Sequence, residues 1–68
     1  MYDFNRTFAS LDEIPDQPGG LAPTSYVEGM NGLANRGLLV TDTETGKKYK
    51  VLILSNTGST LKFRYRRV

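Results

Sequence analysis

The chain has 68 residues, with nine Lys and Arg against seven Asp and Glu and no Cys, His or Trp. Those absences exclude disulfide frameworks, zinc fingers, thiol nucleophiles, imidazole bases and Ser-His-Asp triads, each of which needs a side chain missing here. The length allows one domain at most. With disulfides and Cys/His metal clips both excluded, a hydrophobic fraction of 38% predicts a core completed against copies of the chain or against a partner.

Residues 1–23 are expected to form an extended arm. Pro15, Pro18 and Pro23 with Gly19-Gly20 interrupt any regular element, and Tyr2, Phe4, Phe8, Leu11, Ile14 and Leu21 keep no sustained period. Ser10-Leu11-Asp12-Glu13 has capping-box spacing, but Pro15 limits a helix there to about one turn. Disordered tails are poor in aromatic residues, so Tyr2, Phe4 and Phe8 are expected to be anchors that dock on a surface. The first residues have neither a basic n-region nor an apolar h-region, and the longest apolar run, Val51 to Leu54, is too short for a bilayer span. The expectation is a soluble protein without signal peptide or transmembrane segment, cytoplasmic or virion-associated.

Residues 24–68 are expected to form a small β domain. Thr24 to Glu28 has strand composition but is short, and Gly29 to Gly37 is a tight connection containing the hairpin dipeptide Asn31-Gly32. Leu38 to Thr41 is a strand, Asp42 to Gly46 a turn with Gly in the left-handed position, and Lys47 to Leu54 the return strand. Ser55 to Ser59 is a second turn and Thr60 to Val68 a third strand. The predicted fold class is all-β: an antiparallel meander of three strands plus the weak one at residue 24, or a partly open small barrel, with an irregular N-terminal arm.

Alternation along the strands separates two faces. Tyr49, Val51 and Ile53 join Leu61, Phe63 and Tyr65 on the expected core face, while Lys48, Lys50, Lys62, Arg64 and Arg66 lie on the other. Leu52 and Leu54 fall on the charged face, which predicts that part of it is covered, by the arm or by a neighbouring subunit. Charge is also divided along the chain. Residues 1–44 hold two cations, Arg6 and Arg36, and all seven anions, whereas residues 45–68 hold seven cations and no anion. The acidic arm can fold back on its own sheet, attract a neighbour's sheet, or leave the basic sheet to an external polyanion.

These features predict no catalytic constellation, cofactor, metal or small-molecule substrate. Asp12-Glu13 and the Asp42/Glu44 pair are ordinary arm and turn residues. The expected function is non-enzymatic: a structural or assembly protein, in the style of a virion accessory part that decorates a head or joins a tail lattice. Tyr2, Phe4 and Phe8 are its expected anchors, Leu52 and Leu54 their receptor, and Lys48, Lys50, Lys62, Arg64 and Arg66 the contact for an acidic partner or polyanion. The alternative is a small nucleic-acid-binding module that uses this basic face. Its weakness is that alternation sends Phe63 and Tyr65 of Lys62-Phe63-Arg64-Tyr65-Arg66-Arg67 away from the cations, so these rings are expected in the core rather than stacked on bases. A third reading makes Asp12 to Asp16 a linear acidic ligand of an adaptor.

Overall fold

The two hairpins of the C-terminal half are set by local chemistry. In the computed structural model, which describes residues 1–24 and 34–68, strand β2 (Arg36–Thr41) returns as β3 (Lys48–Asn56) through the Asp42–Gly46 turn. Gly46 takes φ +73°, where a side chain would be strained, and its N–H donates to the Asp42 carbonyl at 2.7 Å. The Asp42 carboxylate accepts from the Glu44 N–H at 2.9 Å, which holds that carboxyl below its ordinary pKa. Strand β4 (Leu61–Arg67) follows a turn in which Gly58, at φ +89°, donates its N–H to the Asn56 side chain at 2.9 Å.

All pairings are antiparallel and the strands lie in chain order in one open sheet. The fold is therefore all-β, and among the described residues its single helical element is a 3-10 turn at Leu11–Glu13. That turn is what the capping-box spacing leaves once Pro15 stops propagation. Ser10 makes no side-chain cap, and Glu13 reaches past Ser10 to accept from the Ala9 N–H at 2.8 Å, so the capping box itself does not form.

Two findings differ from the sequence expectations. The fourth strand is β1 (Tyr2–Thr7), inside the segment expected to be irregular; it pairs with β2, Tyr2 opposite Leu39 and Asp3 opposite Leu38. Its strand character is masked by a bulge: the register shifts between Asp3 and Thr7, and Asn5 sits at φ +54° with its N–H on the Asp3 carboxylate at 2.9 Å. The weak strand expected at Thr24 to Glu28 and the Asn31-Gly32 turn fall, beyond Thr24, outside the described residues. Thr24 itself bonds back to Met1, donating its N–H to the Met1 carbonyl at 2.8 Å.

The second difference concerns the core. Alternation separates the two faces as expected, but the arm closes the opposite one. Phe8, Ile14, Leu39 and Leu52 form the closed core, with Tyr2, Phe4, Leu11 and Leu54 packed against it. On the face expected to be the core, Ile53 and Leu38 are buried near its centre, yet Leu61, Phe63 and Tyr65 are 48%, 48% and 64% exposed. The reason is electrostatic as well as hydrophobic. The arm brings Asp12 and Asp16 together with its apolar anchors, and these acids find Arg66 and Lys50 only on the charged face.

Candidate functional site

On the closed face the arm is fitted to the sheet at one glycine. A Cβ on Gly37 would lie 2.4 Å from the Phe8 ring and 3.2 Å from Ile14 Cγ1, so the missing side chain is the space the Phe8 ring occupies. The Phe4 ring meets Phe8 edge to face, centroids 5.7 Å apart, and the Arg6 guanidinium lies 4.1 Å from the Phe8 centroid. Phe8 and Ile14 are 4% and 1% exposed.

Ion pairs fasten the same arm at three points. Arg36 grips Asp3 with two parallel hydrogen bonds, Nε to Oδ1 at 2.8 Å and Nη2 to Oδ2 at 2.6 Å, both side chains being mostly buried. Those hydrogen bonds hold the Asp3 carboxyl below the ordinary carboxylate range and raise Arg36. Lys50 Nζ meets Asp16 Oδ1 at 2.6 Å, its stem buried under the arm. Arg66 pairs with Asp12 across the exposed rim and lowers that carboxyl as well.

The expected anchors Tyr2, Phe4 and Phe8 and their expected receptor Leu52 and Leu54 thus come together within one chain. Of the expected cationic contact, Lys50 and Arg66 are neutralised by the arm, whereas Lys48, Lys62 and Arg64 form no ion pair among the described residues.

Among the described residues the opposite face has no such cover. Val40 of β2, Tyr49, Val51 and Ile53 of β3 and Leu61, Phe63 and Tyr65 of β4 line two shallow hollows that run together across Val40, Val51 and Phe63, with Leu38 and Met1 at one side. Tyr65 stands edge to face on Tyr49 at 6.1 Å and tilted against Phe63 at 6.2 Å, a row of three contiguous rings. The walls are almost wholly carbon. Alternation placed Tyr49, Val51, Ile53, Leu61, Phe63 and Tyr65 on one face but gave them to the core. The available signal was the shortage of covering chain: one arm cannot close both sides of a four-stranded sheet.

The described residues contain no group of three or more His, Cys, Asp or Glu placed to hold a metal ion, and no helix long and apolar enough to cross a membrane. No protein-family model matches this chain, and neither a curated protein nor a solved structure is significantly similar to it, so what can be said of its function comes from these two faces.

Proposed function

We propose that this is a non-enzymatic assembly protein that docks on protein through its open sheet face rather than through its arm. The observation that carries the reading is the continuous apolar surface around Phe63 and Tyr65, which is where a domain short of covering chain needs a partner. The arm supports the same reading indirectly. Its anchors and three of its acids are spent inside the chain, which leaves a closed face at the back of the open one. A small part of a larger lattice, such as a virion decoration or tail component, fits a molecule built as a plate with one adhesive side.

The test is sedimentation of the full chain from its native cells, followed with an antibody. The expected result is migration in a large assembly, lost when Tyr65 is changed to Glu. A chain that migrates at its own 7.6 kDa in both forms refutes the reading.

One observation favours a second reading, nucleic-acid binding: Phe63 and Tyr65 are accessible rather than buried, and Lys62 and Arg64 lack acidic partners among the described residues. Under that reading the logarithm of the affinity for single-stranded DNA or RNA falls linearly with the logarithm of salt, with a slope of about −0.7 per phosphate neutralised. Arg64→Glu with Lys62→Glu then removes it. No binding at low salt ends that reading.

A further inference from the structure

Resting on the docking reading above, we infer that the occupant of the open face is a second copy of this chain, packed face to face into a two-layer β-sandwich. Area makes this feasible. Three strands at a spacing of ~4.8 Å, with about six residues each at ~3.3 Å, give a flat footprint of ~300 Å². Side-chain relief raises this to on the order of 500 Å² per copy, so two copies bury about 1,000 Å², the floor for a specific interface. The face is also cheap to dry, since its hollows are lined almost entirely by carbon and no ion pair among the described residues has to be broken to cover it.

Charge decides against the other route to self-association. The outer edge of β4 is exposed along its whole length, and an edge of that kind invites strand pairing. An antiparallel β4–β4 pair centred on Arg64 sets Arg64 against itself and Lys62 against Arg66 on one face, where like charges directly opposite are destabilising. At the far side of the sheet the bulge at Asn5 bends β1 out of register. Face-to-face packing avoids both obstacles. The sheets lie ~10 Å apart, and the two charged faces point outward, separated by more than the ~8–10 Å over which salt leaves charges visible to each other. Area alone does not set affinity, and an interface at the low end of the size range places this dimer among the weak, reversible complexes.

The experiment is sedimentation equilibrium of the purified full chain from about 5 μM to 1 mM, with hydrogen exchange read on the β4 amides. The expected result is a monomer–dimer equilibrium within that concentration range, weakened at least tenfold by Tyr65→Glu and by the independent variant Leu61→Lys. Lys62→Glu should leave it nearly unchanged, and the outward β4 amides should exchange as fast in the dimer as in the monomer. A monomer at every concentration, a dimer indifferent to both face variants, or protected outward amides on β4 overturns the proposal. Its failure is distinct from failure of the docking reading. A monomer that still enters a large assembly through Tyr65 refutes only the dimer, and a Tyr65-dependent dimer that never enters one refutes only the assembly role.

Discussion

The two faces of this sheet are made unlike, and the less hydrophobic one is closed. Leu39, Leu52 and Leu54 share their side with Lys50, Arg64 and Arg66, yet the arm covers them; Val40, Val51, Phe63 and Tyr65 share theirs with few polar groups and stay open. Burial here follows the chemistry of the available cover rather than a ranking of surfaces by grease. The arm supplies Phe8 and Ile14 for the leucines and Asp12 and Asp16 for the cations. Both acids stay largely exposed in these pairs, so the pairs steer the arm to this face while the burial of Phe8 and Ile14 holds it there.

The sharpest way to break this comparison is to remove the arm's principal anchor. Phe8→Ala should cost about 3–5 kcal/mol in urea unfolding, most of what a domain this small possesses. A loss below about 1 kcal/mol would show that the closed face is not the core. Next in size is Gly37→Ala, which drives a methyl group into the Phe8 ring and should cost about 1–3 kcal/mol. In a double-mutant cycle with Phe8→Leu the two losses should be less than additive, because the smaller side chain returns the space.

Asp3→Asn comes third, at about 1–2 kcal/mol, since it weakens a bidentate, partly buried grip on Arg36. The same carboxylate sets a pH dependence. Its folded pKa lies below the 3.8 of an unperturbed Asp, so its contribution is fully present above that value and is lost as the pH falls through the lower, folded one. Acid unfolding followed by circular dichroism should therefore start below about pH 4 and lose this component in the Asn variant.

The smallest effect belongs to the open face. Tyr65→Ser should cost the dilute monomer about 1 kcal/mol, the loss of its ring contacts with Tyr49 and Phe63, although Tyr65 is as large an aromatic as Phe8 is. Equal losses at the two positions would erase the distinction between the faces.

Much of the fold was legible because its determinants are local. Asp42 and Gly46 announce the β2–β3 turn by the backbone geometry they favour, and the alternation of Lys62 to Arg66 assigns each side chain of β4 to its face. Strand β1 was not legible, since its partner lies far along the chain, Tyr2 opposite Leu39 and Thr7 opposite Arg36, and the bulge at Asn5 breaks its period after three residues. Gly37 looks like one more loop glycine after Gly29 and Gly32 until the Phe8 ring is seen lying on it. Alternation also groups Phe63 and Tyr65 with Val51 and Ile53 without saying whether anything will cover them. Covering depends on where the arm goes, and that was left open among three arrangements of its acids.

The pairing of β1 with β2, and of Phe8 with Leu52, also orders events during synthesis. The ribosome makes the adhesive lead segment first and its platform last, so Phe8 and Ile14 remain unsheltered until β3 has emerged, a delay of some seconds at ~5–20 residues per second. Over that interval Phe8 and Ile14 have no leucines to bury against, so the arm is made before its platform and cannot close until the strands that receive it exist.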